Sequence, residues 1–345
     1  MGKPVSGETM DKPAFSFTSA VFFFFKTLGR RPGAVAWIAL WQIILYAVIY
    51  GAALALLWPF WAELFGALAD GVEPDEATIL RYAASLLGGV TIAVFGGLLA
   101  LLLAQGAWLR LLTRDEVAGG IPFRLGGDEL RLIGVNVLFL VLNLVFWGVV
   151  IGVAVIPNVA AQVGGGDTGA VLGGAAVSAL MVVAAVVIWI ILAIKFAAAP
   201  AMSVHQRRLR VFESFAATKS ITAWMALVYL VACAIYVAGA IVVSIAQQVA
   251  VLLVAADLVG ALTALDPDAD PEVVFSILAD IFTRPGALIG LGVIVVLQIV
   301  FQILFEAFWH GPGAYVAVRH ANDPLSHEDT PSAPAGSVGA APKEG

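Results

Sequence analysis

The sequence predicts an all-α polytopic membrane protein: six transmembrane helices, with amphipathic helices lying along the cytoplasmic membrane surface. Three observations carry this. The chain of 345 residues is 61% hydrophobic and only 12% charged, with a mean hydropathy of +0.99, whereas soluble domains carry roughly 25% charged residues. Six stretches supply the run of about 20 apolar residues that a crossing helix needs. Finally, Lys and Arg crowd every second connection and avoid the others, as orientation in a membrane demands.

The first stretch runs from about Ala34 to Trp58 and the second from about Ser85 to Leu109, its helix starting earlier at a cap near Asp75 in "PDEA". The third is about Leu130 to Ile156 and the fourth about Val171 to Phe196. The fifth starts near Ile221, is too long for one crossing, and is placed to end near Gln247. The sixth is about Gly286 to Phe308. Of the 18 Lys and Arg, only Arg81 and Arg284 fall on the side opposite the N-terminus. The same opposite-side loops hold acids, among them Asp70, Glu73, Asp75 and Glu76, and Asp266, Asp268, Asp270 and Glu272. A bacterial inner-membrane protein with both termini in the cytoplasm is the expectation. Residues 1–14 and 322–345 read as disordered flanks of a membrane domain over 15–321, the tail being rich in Pro, Gly, Ala and Ser. The N-terminus has no apolar core behind its first lysines, so no cleavable signal peptide is expected.

Amphipathic pieces precede the outward-going spans. In "FSFTSAVFFFFKTLG", Phe17, Val21, Phe24, Phe25 and Leu28 share one helical face, with Lys26, Arg30 and Arg31 at its end. Such a Phe-rich face backed by cations suits a helix in the headgroup layer. Before the fifth span, Val211, Phe212, Phe215 and Ala216 repeat the pattern beside Arg207, Arg208, Arg210 and Lys219. "PFRLGGDELRL" ahead of the third is a shorter case. On the opposite side, Asp270 and Pro271 open a short amphipathic helix through Val274, Ile277, Leu278 and Ile281.

The net charge of -6 argues against a nucleic-acid partner. The bilayer itself is the expected partner, along with other membrane proteins or lipids. The single cysteine, Cys233, makes no internal disulfide and no thiolate metal cage. The four histidines show no paired-ligand spacing, "DPDADPE" lacks the Gly and Glu of a calcium loop, and no catalytic motif is present. No enzyme activity, metal or cofactor is expected.

One row invites chemistry. Gln298, Gln302, Glu306 and His310 recur every four residues in the sixth span. Each step advances about 40° around a helix, so Gln298 to Glu306 occupies one broad face, expected to point into the bundle. Glu306 lies about 13 Å from the middle of its span, near the inner boundary, at the depth of Lys195 in the fourth span. A Lys195–Glu306 boundary pair, with glutamines bonding neighbouring helices, is preferred to a proton relay, because no second acid stands near mid-membrane. Gln42, Tyr46 and Tyr50 in the first span and Asn136 and Asn143 in the third are single-face polar positions that would together line a small polar cavity. Gly148 with Gly152, and Gly286 with Gly290, form GxxxG pairs suited to close helix packing.

The stretch Lys195 to Trp224, "KFAAAPAMSVHQRRLRVFESFAATKSITAW", resembles a bacterial six-span inner-membrane family described after the membrane domain of glycerophosphodiester phosphodiesterases. The resemblance rests on Ala199 and Pro200 at the end of the fourth span, and on Ser214, Phe215, Thr218 and Lys219 leading into the fifth. It implies a six-helix membrane domain; the catalytic barrel for which the family is named has no counterpart in this chain. A role in envelope or lipid homeostasis is what it suggests. The expected function is therefore a non-catalytic membrane scaffold or envelope-homeostasis factor; the alternative is a transporter or lipid-handling protein with a polar cavity between spans.

Overall fold

A computed structural model describes residues 15–70, 75–164, 168–263 and 285–322. Expectations for the N-terminal 14 residues, most of both acidic loops, the Asp270-capped helix and the tail lie outside them.

Among the described residues the chain is all-α, and six helices are long and apolar enough to cross a membrane. Two short helices, α1 (Phe17–Val21) and α2 (Phe23–Arg30), lead into α3 (Pro32–Asp70). Next comes α4 (Glu76–Thr91), capped as expected by the Asp75 side chain accepting from the Thr78 amide at 2.8 Å. A π turn over Ile92–Gly96 passes it into α5 (Gly97–Arg114). Then follow α6 (Gly127–Val163), α7 (Thr168–Phe196), and two short pieces, α8 (Ala199–His205) and α9 (Glu213–Thr218). The chain closes with α10 (Thr222–Thr263) and α11 (Pro285–Ala321). Several helices overrun the sequence boundaries: α10 continues past Gln247 for four more turns, because nothing in that run breaks a helix.

The long helices pair as hairpins: α3 with α4, α6 with α7, α10 with α11. Burial gathers at the end holding most Lys and Arg, here called the basic end, where α2, α5, α8 and the second half of α11 meet. Trp108, Met202, Met225 and Ala314 are inaccessible there. The close approach of α11 to the α7–α8 joint needs Gly313: a Cβ at that position would stand 2.5 Å from the Ala197 carbonyl oxygen. The Gly148–Gly152 pair does not act this way, nor does Gly286. Gly148, Gly152 and Gly286 have open space where a Cβ would stand, so among the described residues no close helix contact uses these three.

The resemblance-bearing residues build that joint. Helix α7 stops at Phe196 because Pro200 cannot donate to the carbonyl four residues earlier. The Ser214 hydroxyl then donates to the Lys195 carbonyl at 2.6 Å, and Thr218 Oγ1 reaches the same carbonyl at 3.5 Å. Two side chains thus tie α9 beneath the end of α7.

Candidate functional site

A chamber of about 1060 Å³ lies between α5, the α6–α7 hairpin, α8, α10 and α11. Drug-sized ligand pockets occupy about 300–1000 Å³. Its walls are apolar and aromatic: Phe146 against Trp189 at 5.0 Å between ring centroids, Phe196 against Phe215 at 4.5 Å, and Tyr229 against Trp309 at 5.0 Å. Pro200 and Ala201 of α8 lie at its floor. The chamber is not sealed, since Val145, Val149 and Leu230, which line it, are 61%, 60% and 64% exposed. Its polar lining is sparse: Gln105, Asn136, Tyr229 and His310, with Cys233. Asn136 Nδ2 donates to Gln105 Oε1 at 2.9 Å.

The polar row of the sixth span is split among different surroundings. Gln298 accepts from Gln247 of α10 at 3.1 Å, and Gln302 is exposed. Glu306 turns toward α3: its Oε2 accepts from Gln42 Nε2 at 2.7 Å and from the Tyr46 hydroxyl at 3.4 Å. His310 lines the chamber. The expectation of one inward face is corrected, and the cause is geometric. Two 40° advances already carry Glu306 about 80° from Gln298, and a third carries His310 about 120°, so α11, packed on several sides, shows each residue a different neighbour. The Lys195–Glu306 pair is likewise corrected: among the described residues no ion pair joins them, and Gln42 and Tyr46 hold the carboxylate. Lys195 is half-buried and contributes its carbonyl to the α9 tie.

Gln42 is fixed in one orientation. It is fully buried, and its Oε1 accepts from the indole N–H of Trp108, also fully buried, at 2.9 Å. An indole only donates, so the amide cannot flip without losing that bond, and its N–H groups must face Glu306 and Tyr46. Glu306 Oε1 is buried with no hydrogen-bond partner. Asn136 belongs to the chamber wall and Gln42 with Tyr46 to the Glu306 cluster, so the expected shared polar cavity resolves into two separate places.

A buried ionic network at the basic end was not read from sequence. Arg110 bonds Glu129, and Arg114 bonds Asp128, with the side chains of Arg110 and Glu129 4% and 1% exposed. Arg110 also donates to the Pro122 carbonyl at 3.2 Å, and Glu129 accepts from the Gly126 amide at 3.0 Å, which anchors the connection between α5 and α6. Gly106 makes room for it, since a Cβ there would lie 2.7 Å from Glu129 Oε1. The signal available was "DEL" opening α6, three acids-and-cations within one turn of "LGGDELR".

The expected membrane contacts divide. Phe24 is corrected: it is 2% exposed, packed edge-on to Trp108 at 6.2 Å, because the periodicity that marks an apolar face does not say whether lipid or protein covers it. Phe215 is turned inward onto Phe196, while Phe212 is 70% exposed. Arg30, Arg208 and Lys219 are exposed. Lys26 donates to Ser19 Oγ at 2.9 Å, Arg207 pairs with Glu116 at 3.2 Å, and Arg210 pairs with Glu213 at 2.8 Å. Among the described residues no group of three or more His, Cys, Asp or Glu is placed to hold a metal ion.

Compared with known proteins, the chain matches no family model, no curated protein and no solved structure.

Proposed function

We propose that this chain is a non-catalytic lipid-handling protein of the bacterial inner membrane, with both termini in the cytoplasm, that takes a lipid chain into the chamber beside α7. The observation that carries the reading is the chamber itself: about 1060 Å³ of aromatic and aliphatic lining, unsealed, inside helices that cross a membrane. What surrounds such an opening is hydrocarbon, and an apolar site there is filled by acyl or isoprenoid chains at no desolvation cost. The orientation rests on the basic asymmetry of the sequence. The resemblance to the glycerophosphodiester phosphodiesterase membrane domain fits this reading, because Pro200 and Phe215 of the resembling stretch form part of the chamber's lining. Envelope lipid homeostasis is the role proposed.

The test is native mass spectrometry of the protein released from nanodiscs. A retained lipid, lost when Ala193 and Ala197 of the lining are both changed to Trp to fill the chamber, supports the reading. Release of lipid-free protein, or retention that ignores the filling substitutions, overturns it.

A further inference from the structure

The chamber's polar groups lie at one level, and none carries a fixed charge. Gln105 stands nine residues before the end of α5, and Asn136 nine residues into α6. Tyr229 is seven residues into α10, and His310 eleven before the end of α11. At about 1.5 Å per residue these heights above the basic ends are roughly 10 to 16 Å. The Asn136–Gln105 hydrogen bond ties the first two together, and the Tyr229–Trp309 ring contact sets Tyr229 against the residue that precedes His310. Above this tier the lining is apolar up to Val150, fourteen residues beyond Asn136, or about 21 Å. Below it are Pro200 and Ala201.

The tier has hydrogen-bonding capacity to spare. Asn136 Nδ2 is satisfied by Gln105 Oε1, which leaves Asn136 Oδ1 as an acceptor and Gln105 Nε2 as a donor. Among the described residues no hydrogen bond occupies the Tyr229 hydroxyl or the His310 ring, and neither is among the buried atoms closed off without a partner. Among the described residues no Lys or Arg is part of the chamber's lining, and the adjacent cation, Lys195, stands between the lining residues Ile194 and Phe196 without joining it. The nearest guanidinium along α5, that of Arg110, is committed to Glu129. A phosphate drawn to this level would be an unpaired buried charge, which is far costlier than a neutral polar group.

Resting on the lipid-handling reading, we infer that the chamber selects a lipid whose head is uncharged and hydrogen-bonding. The head is held at the Gln105–Asn136–Tyr229–His310 tier, with the chain running upward along Phe146 and Trp189. A diacylglycerol and a long-chain isoprenoid alcohol both carry this chemistry, a hydroxyl that donates and accepts. A phospholipid does not.

The experiment uses the full chain in phosphatidylethanolamine–phosphatidylglycerol nanodiscs. Four photoactivatable probes carry a diazirine in the chain: a diacylglycerol, an isoprenoid alcohol, a phosphatidylglycerol and a headless alkane. Crosslinks are mapped by peptide mass spectrometry to 139–150 of α6 and 189–197 of α7. A neutral-headed probe should label these segments about tenfold more than the phosphatidylglycerol probe, and the stronger of the two identifies the source. Tyr229→Phe with Asn136→Leu should lower that labelling about tenfold, as two lost hydrogen bonds require, and leave the alkane unchanged. Equal labelling by phosphatidylglycerol, especially if Lys195→Ala removes it, overturns the head assignment while leaving lipid binding intact. Neutral labelling that ignores the double substitution in folded protein also overturns it. No labelling of the chamber by any probe overturns both readings. The comparison of probes on the unaltered chain decides between charged and uncharged heads whether or not the variants fold.

Discussion

Replacing Glu129 by Leu removes the carboxylate from a pair whose side chains are 4% and 1% exposed. Arg110 then keeps its bond to the Pro122 carbonyl at 3.2 Å and a weak neighbour in Asp128 at 4.0 Å. Asp128 is already engaged by Arg114 and Arg131, so it compensates in part only. Breaking a buried pair from one side costs about 3–5 kcal/mol, and the residual Asp128 contact puts this case near 3. That is about a hundredfold in the unfolding equilibrium, at about 1.4 kcal/mol per decade. Arg110→Met combined with Glu129→Leu should recover most of the loss, because no buried charge is left unpaired. A remainder of about 1 kcal/mol is expected, from the Gly126 amide and Pro122 carbonyl that lose partners. Unfolding in mixed detergent micelles, followed by tryptophan fluorescence, measures all four corners of the cycle. A single-variant loss under about 1 kcal/mol would refute the reasoning. So would a double variant as unstable as the two single losses added together.

Other consequences are open to similar measurement. Phe24→Ala should cost about 3–5 kcal/mol in the same assay, as a core aromatic does; a negligible loss would mean that lipid, not Trp108, covers it. Gln42→Leu strips donors from Glu306 and the acceptor from Trp108, and should destabilise by about 2–3 kcal/mol, whereas Lys195→Leu should leave Glu306's partners and its stability contribution intact. Spin labels at positions 212 and 215 should differ, the first reporting a mobile lipid or surface environment and the second a packed one; equal accessibility at both contradicts the inward turn of Phe215. Reporter fusions after Asp75 should read outside and at Arg207 inside, and an outside signal at Arg207 would reverse the proposed orientation.

The number and order of spans were legible because each is a long apolar run, and the Asp75 cap because its chemistry is local. What escaped depends on partners far away in sequence. The heptad-like spacing of Val21, Phe24 and Leu28 fixes a face but not its neighbours: Phe24 and Leu28 pack into the cluster of Trp108 and Phe308, while Val21 packs with Val228. The row from Gln298 to His310 was legible as polar positions, yet its drift around α11 sends each member to a different site. Arg110 and Arg114 read as free cations of one membrane side, whereas Glu129 and Asp128 neutralise them internally. The chamber left no mark at all, since its walls are ordinary apolar residues drawn from several separate helices.

Because burial gathers at the basic end, resistance to local opening should be graded along each long helix. Amides near Trp108, Met202 and Ala314 lie in the region that exchanges with solvent only when the whole domain opens, while the far ends of the hairpins, held by one partner each, belong to the low-energy end of the opening spectrum. Insertion and assembly then separate naturally: each hairpin can enter the bilayer as a finished pair, and the later step is the locking of three pairs at one end. The chamber inherits this asymmetry, with a rigid base of α8 and the α7–α9 tie and a wall between hairpins that can yield sideways without disturbing that base.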